Sequence, residues 1–136
     1  MSEIEDDGYS LENHVQGESR NLDAALMRLD LNRELDEVKQ AAPYRDKGQC
    51  AKTLVRNPDL RVVLVALAQG VSMGEHQTNH RITVQCLHGE VRVKLPDQQV
   101  DLPAGCLFTM LGSVPHDVEG LRDSAFLLTI SWCGTG

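Results

Sequence analysis

Three histidines, His76, His80 and His116, are the residues of this chain whose type and spacing could do chemistry. Neutral imidazole binds transition metals, and it titrates near neutral pH. His76 and His80 lie on one predicted strand, and His116 lies on another. If these strands close into a barrel, up to three imidazoles meet inside it. Three neutral histidines and a water molecule make a zinc site, and they suit nickel, copper or iron less selectively.

Each of these histidines also has a plainer interpretation. His80 belongs to the loop before the strand if the turn-prone pair Thr78-Asn79 interrupts it. His76, on its plainer interpretation, is a hydrogen-bonded pocket residue without metal. The other two histidines are expected to face solvent, His14 in an N-terminal tail and His88 in a hairpin turn.

Other reactive groups lie near the histidines in the sequence. Cys86 has the same strand parity as His76, so a pair of nucleophile and base is one reading, although a cysteine in a β core is more often a small hydrophobe. Glu75, Asp117 and Glu119 could act as general acids or bases. Strand parity, however, predicts that these three carboxylates point away from the histidines.

Short apolar runs separated by turn residues predict seven or eight strands. The run from Val62 to Leu67 is continuously apolar, as expected for a strand that is buried on both faces. His88-Gly89 is predicted to form a tight hairpin between two strands. The predicted strands are Cys50–Arg56, Arg61–Leu67, Arg81–Leu87, Glu90–Leu95, Gln99–Leu102, Cys106–Leu111 and Ser124–Trp132. This pattern, without βαβ alternation, predicts an antiparallel sandwich or barrel.

The N-terminal part has a different pattern. Residues 1–20 show no hydrophobic periodicity and are expected to form an acidic, disordered tail. Helical spacing of Leu22, Ala25, Leu26 and Leu29 predicts a first helix with Asn21 as its N-cap, and a second set predicts a helix that Pro43 ends. The second set is Leu31, Leu35 and Val38. Such short helices are expected to cover an edge or one end of the sheets.

Composition restricts the partners of the chain. Its 136 residues suit one domain, and its net charge of −7 lies in the first 40 residues, which hold eleven acidic and four basic side chains. The remainder is balanced, so neither nucleic acid nor an anionic membrane is expected as a partner. The acidic start differs from a secretory signal, and the four cysteines form no C-x-x-C pair, so a cytoplasmic protein with reduced thiols is expected.

The histidine region resembles the motifs of the cupin family. In the first motif, G-x5-H-x-H-x(3,4)-E-x6-G, His76 matches the first histidine and Gly89 the closing glycine, while Thr78 and Ile82 replace the second histidine and the glutamate. The second motif is G-x5-P-x-G-x2-H-x3-N. There Gly105 and His116 match in register, whereas Leu111, Ser113 and Gly120 replace the proline, glycine and asparagine.

The resemblance implies an all-β cupin jelly-roll β-barrel with short N-terminal helices. It covers about residues 60–132, within a single domain of residues 21–136 whose barrel core spans about residues 50–132. It also implies a homodimer and a site inside the barrel, where His76, His80 and His116 are the candidate ligands of one divalent metal: zinc, nickel, iron or manganese.

Three functions follow from this resemblance. The first is binding of a small molecule, or of a loosely held divalent metal, without strong catalysis, which the substitutions at Thr78 and Ile82 favour. The second is a metal-dependent enzyme of the dioxygenase or isomerase type. The third is a sensor or interaction protein in which the helical leader contacts a partner.

Overall fold

The computed structural model describes residues 21–131, which form two helices and eight strands. The predicted tail and the end of the last predicted strand, at Trp132, lie outside the described residues. In chain order the elements are α1 (Leu31–Gln40), α2 (Ala42–Lys47), β1 (Gln49–Arg56), β2 (Leu60–Leu67), β3 (Arg81–His88), β4 (Glu90–Lys94), β5 (Gln99–Pro103), β6 (Leu107–Leu111), β7 (Asp117–Gly120) and β8 (Ser124–Ser131). The predicted strands are confirmed to within one or two residues, and the strand expected at His116 is β7, which begins one residue later.

The strands form two antiparallel sheets that face each other. The larger sheet has the order β1-β2-β8-β3-β6, and the smaller has the order β5-β4-β7. The predicted antiparallel barrel or sandwich is therefore confirmed. No helix within residues 21–131 has the length and apolar character needed to cross a membrane.

The predicted hairpin at His88-Gly89 is wrong. β3 pairs with β6 and β8, whereas β4 pairs with β5 and β7, so this corner carries the chain from one sheet to the other. Gly89 has φ +73°, and a Cβ there would overlap the carbonyl of Asp123. Only glycine fits such a corner without strain.

Alternation along the strands places one face of each sheet in a common core. In β3, Ile82, Val84 and Cys86 are buried, while the residues between them are more exposed. They join inward-facing side chains from both sheets, among them Val91, Val93, Leu102, Val118, Phe126 and Leu128. Ile82, at the position of the motif glutamate, therefore lies in an apolar interior.

A second core lies on the outer face of the larger sheet. Leu35 and Val38 of α1 pack there with residues of β1, β2 and β8, including Leu54, Leu64 and Ala125. This packing explains why β2 is buried on both faces along most of its length, as its apolar run predicted. The helices cover a face of the sheet rather than its edge or end.

The first predicted helix is wrong. Residues 21–30 form turns and extended backbone, Leu26 is 91% exposed, and Asn21 accepts a hydrogen bond from the Asp23 N–H across a turn. The Arg56 N–H donates to the carbonyl of Leu22, so this segment lies beside β1. The backbone hydrogen bond to β1 replaces the helix here, because a helix of this sequence would bury few apolar residues.

The second predicted helix is confirmed as α1. The Asp30 side chain caps it by accepting from the Arg33 N–H. Pro43, expected to end a helix, lies instead in the first turn of α2, where its missing N–H costs nothing. Gly48, with φ +73°, ends α2 in the left-handed conformation.

A buried ion triad joins α1 to the sheet. Lys52 of β1 has a side chain only 6% exposed, and its Nζ lies 2.9 Å from Glu34 Oε1 and 2.6 Å from Glu37 Oε1. Burial lowers the pKa of Lys52, but hydrogen bonds and charge from Glu37 and Glu34 outweigh it, so the pKa is raised overall. The triad therefore keeps an ammonium ion charged beneath the helix.

We expect Lys52→Met to lower the free energy of unfolding by about 3 kcal/mol, because it leaves the buried carboxylate of Glu34 without its ammonium ion. Urea denaturation measures this loss. The double variant Lys52→Met/Glu34→Leu should recover most of it. Arg33→Met, which removes an exposed cation from the same helix, is the matched control and should change little. Equal losses in Lys52→Met and Arg33→Met would contradict the role of the triad.

Candidate functional site

A segment between β2 and β3, residues 68–80, lies along β7, the edge strand of the smaller sheet. We call it the crossing segment. It pairs antiparallel with β7 and the residue before it, through isolated bridges between Ser72 and Glu119 and between His76 and His116. The Met73 N–H also donates to the carbonyl of Val118 over 3.0 Å. These contacts place residues from distant parts of the sequence together at the mouth of the barrel.

The backbones of His76 and His116 form a reciprocal pair. The His76 N–H donates to the His116 carbonyl over 2.8 Å, and the His116 N–H donates back over 3.1 Å. Their ring centroids are 6.4 Å apart, with 35° between the ring planes. The structure therefore brings together two of the three predicted site histidines.

His116 is buried and held in one orientation. It is 2% exposed, and its Nδ1 lies 2.8 Å from the carbonyl oxygen of Val114. A carbonyl can only accept, so Nδ1 donates this hydrogen bond, and in the neutral tautomer that makes it, Nε2 is the acceptor nitrogen. A defined tautomer of this kind suits either a ligand-binding or a metal-binding imidazole.

The third histidine does not complete a metal centre with these two. His80 lies in the bend just before β3, as its loop reading allowed, and its carbonyl accepts from the Gly112 N–H. Among residues 21–131, no group of three or more His, Cys, Asp or Glu side chains is placed to hold a metal ion. Thr78 and Ile82, which replace two family ligands, are both buried.

The donor set does not fit a catalytic zinc centre, which uses three protein ligands. The structure pairs two imidazoles, and neither a threonine hydroxyl nor an isoleucine supplies what a glutamate would. The role of His76, His80 and His116 as ligands of a divalent metal stays a prediction, to be tested by metal analysis.

A pocket of about 440 Å³ opens beside His116. Its lining residues are Glu75, Lys94, Leu95, Pro96, Pro115, His116 and Asp117, and we call it the mouth pocket. Glu75 and Asp117 line this pocket, and burial still alternates as strand parity predicted: His116 and Val118 are buried, whereas Glu75 is exposed and Asp117 is only partly buried.

Lys94 is a site residue that the sequence analysis missed. Its Nζ lies 3.4 Å from Asp117 Oδ2, 3.4 Å from Glu119 Oε1 and 3.1 Å from the Ser72 hydroxyl. Asp117 Oδ1 in turn accepts from the Gly74 N–H over 2.9 Å. Lys94 and Asp117 thereby fix the crossing segment against the smaller sheet. Only the pairing of β4 with β7, which the sequence did not predict, reveals this contact.

Cys86 does not form a catalytic pair with a histidine of the mouth. It is fully buried at the far end of β3, and its thiol donates to the carbonyl of His88 over 3.4 Å. Burial is the main cause that raises the pKa of the Cys86 thiol, which disfavours the nucleophilic thiolate. The reading of Cys86 as a small core residue fits this environment.

Comparison with solved structures identifies the fold as that of the cupins. A cupin superfamily protein from Desulfitobacterium hafniense has a TM-score of 0.64 and is 19% identical, covering 91% of this chain and 99% of its own. A conserved protein of unknown function from Streptococcus pyogenes has a TM-score of 0.65 at 19% identity, covering 85% and 95%. KdgF from Halomonas sp. has a TM-score of 0.59 at 25% identity, covering 63% and 82%. The chain is therefore a small cupin-fold protein, as the motif resemblance implied.

Comparison by sequence adds nothing to this. No family model matches the chain, and no curated protein matches it.

We expect Gly112→Ala to disturb the crossing segment. Gly112 exchanges backbone hydrogen bonds with Thr78 and His80, and a Cβ at this position would overlap Thr78 Cγ2 and the His80 carbonyl. The variant should lose about 2 kcal/mol of unfolding free energy and exchange the Thr78 amide hydrogen faster. Thermal denaturation and hydrogen exchange measure the two effects. Ser113→Ala, one residue further on, is the control, and a Gly112→Ala variant that behaves like it would contradict the close packing.

Proposed function

We propose that this cupin-fold protein binds a small, uncharged or cationic molecule rich in hydrogen-bond donors in the mouth pocket, without a tightly held catalytic metal. The observation that carries the proposal is the buried imidazole of His116. The ring is oriented by the Val114 carbonyl, and His116 is one of the residues that line a pocket together with charged side chains. A buried, oriented polar group at a concave surface is typical of a ligand site.

The size of the mouth pocket supports a small ligand. Its volume of about 440 Å³ lies within the range of roughly 300–1,000 Å³ that is usual for small-molecule sites. Leu95, Pro96 and Pro115 supply apolar surface, while the remaining lining side chains are polar or charged. A molecule of monosaccharide or amino-acid size, with both apolar and polar faces, suits this lining.

The charges of the mouth pocket indicate the sign of the ligand. Two carboxylates, Glu75 and Asp117, line it beside one ammonium group, Lys94. Lys94 is also within 3.4 Å of Glu119, which adds further negative charge. An anionic ligand would meet net negative potential here, whereas hydroxyl or ammonium groups find acceptor oxygens.

The metal-dependent enzyme stays the alternative, and a loosely held metal stays compatible with the paired imidazoles. Two histidine nitrogens are a weaker donor set than the three protein ligands of catalytic zinc. We therefore expect divalent metals to bind weakly and in less than stoichiometric amounts in the purified, untagged protein.

We expect a thermal-shift screen of the full chain to find stabilising ligands among neutral polyols, sugars and small amines rather than among dicarboxylates. His116→Gln should weaken binding of a hit at least about tenfold, because it removes the oriented imidazole. Lys94→Met should weaken binding of the same hit less than His116→Gln does. His88→Gln alters the exposed histidine at the sheet corner and is the matched control. Titration calorimetry measures each affinity.

The same experiment also tests the metal-dependent alternative. Zinc, nickel, iron and manganese salts are tested alone, with elemental analysis of the untagged protein. Stoichiometric metal that is lost in His76→Ala and His116→Ala would overturn the proposal in favour of a metal-dependent protein. Hits confined to dicarboxylates would overturn the assignment of ligand charge.

The homodimer implied by the family resemblance has a candidate surface at β6. Within residues 21–131, this edge strand of the larger sheet pairs with β3 alone. Leu107 and Leu111 are 63% and 53% exposed on its outer face. Two-fold antiparallel pairing about Thr109 would place Leu107 of each copy opposite Leu111 of the partner subunit. The strand is thus self-complementary.

We expect Leu107→Lys/Leu111→Lys to convert the dimer into a monomer, because like charges would then meet at the paired edge. Analytical ultracentrifugation measures the change. Leu26→Lys, at the most exposed leucine of residues 21–131, is the control and should stay dimeric. A monomeric wild type would show the homodimer to be wrong, and a dimer that survives both substitutions would place its interface elsewhere.

A further inference from the structure

Two cysteines lie opposite each other at the end of the barrel remote from the mouth. The register of β3 with β6 ends at the pair Gln85 and Leu107, and one step further it brings Cys86 opposite Cys106. The Cys86 N–H donates to the Cys106 carbonyl over 3.0 Å, and the Gly105 N–H donates to the Cys86 carbonyl over 2.8 Å. Two backbone hydrogen bonds therefore hold Cys86 against the chain at Cys106.

The local turn fixes which residue faces Cys86. The Cys106 N–H donates to the Pro103 carbonyl over 3.0 Å, which closes a tight turn with Gly105 at φ +94°. A glycine in this conformation followed by a strand residue forms a β-bulge, in which two residues oppose one on the neighbouring strand. Gly105 is the extra residue of the bulge, and Cys106, the residue before β6, lies opposite Cys86.

Both thiols face the interior. Cys86 is fully buried in the inner core, in the same parity as Ile82 and Val84. Cys106 is partly buried and packs against the same core, as do Phe108 and Met110 of β6. The Cα atoms of residues opposite each other on antiparallel strands are about 4.5–5.5 Å apart, within the range of about 4.4–6.8 Å that disulfides span.

We propose that Cys86 and Cys106 are a redox-active thiol pair that forms a reversible intramolecular disulfide with a small-molecule disulfide, such as glutathione disulfide, as oxidant. The partly exposed Cys106 is the thiol that the oxidant reaches first. The buried Cys86 is the thiol that completes the bond. This site is distinct from the mouth pocket, which lies at the other end of β4.

The reaction balances in two exchange steps. The Cys106 thiolate attacks one sulfur of the oxidant, which forms a mixed disulfide and releases one thiolate. The Cys86 thiolate then attacks the Cys106 sulfur and releases the second. The two cysteines lose two protons and two electrons, and the oxidant becomes two thiol molecules. Burial raises the pKa of the Cys86 thiol, which lowers its thiolate fraction and slows this second step.

The disulfide would join β6 covalently to the rest of the larger sheet. β6 is an edge strand held by β3, and the bond would close a loop that contains β4 and β5. Closing such a loop restricts the unfolded chain, so oxidation should raise the melting temperature by roughly 5 °C. Reduction should reverse the shift.

The experiment treats the folded, full-length protein with glutathione disulfide, quenches it with acid, blocks free thiols and maps the peptides by mass spectrometry. The expected product is a Cys86–Cys106 cross-link, two hydrogens lighter than the dithiol and removed by dithiothreitol. A lasting glutathione adduct on Cys106, a bond from either cysteine to Cys133, or two free thiols would each overturn the proposal.

Three variants sharpen the assignment. Cys106→Ser should abolish the cross-link, and Cys86→Ala should leave Cys106 as a stable glutathione adduct. Cys50→Ala should retain the cross-link, because Cys50 lies in the outer core, where burial raises its pKa to about 11. If Cys86→Ala does not fold, the wild-type peptide map still decides the question. A cross-link that survives in Cys106→Ser would contradict the assignment.

Discussion

Two hydrogen bonds between the backbones of His76 and His116 determine the geometry of the mouth. They join the crossing segment, which connects two strands of the larger sheet, to the residue before β7 in the smaller sheet. Without this pairing Glu75 and His116 would have no reason to line one pocket. The charged contacts of Lys94 and Asp117 reinforce the same junction from the outer face. The site therefore forms only where the crossing segment pairs with the smaller sheet, and no single strand contains all of its residues.

Much of the barrel could be predicted from the sequence, because its strands alternate or are continuously apolar. Ile82, Val84 and Cys86 lie inward as parity required, and β2 is buried on both faces as its composition required. The corner at His88-Gly89 could not be predicted, since a glycine that reverses a hairpin and a glycine that turns a chain between sheets look alike locally. β7 is only four residues long, so its pattern is too short to give its bounds.

The candidate site was predictable only in part, for the same physical reason. His116 and His76 were found by residue type and motif spacing, and the structure brings them together. The contacts of Lys94 with Asp117 and Glu119 depend on the register between β4 and β7, which the sequence did not show. The triad of Lys52 with Glu34 and Glu37 likewise escapes pattern analysis, because a lysine on a strand normally indicates a solvent-facing position.

The apolar outer face of the larger sheet depends on α1 for its cover. Leu54, Leu64, Ala66 and Ala125 are fully buried on the outer face of the larger sheet, where the helix covers them. A barrel separated from its helices would present this apolar face to water and invite aggregation. The apolar residues of α1 and those of the strands beneath it must therefore vary together.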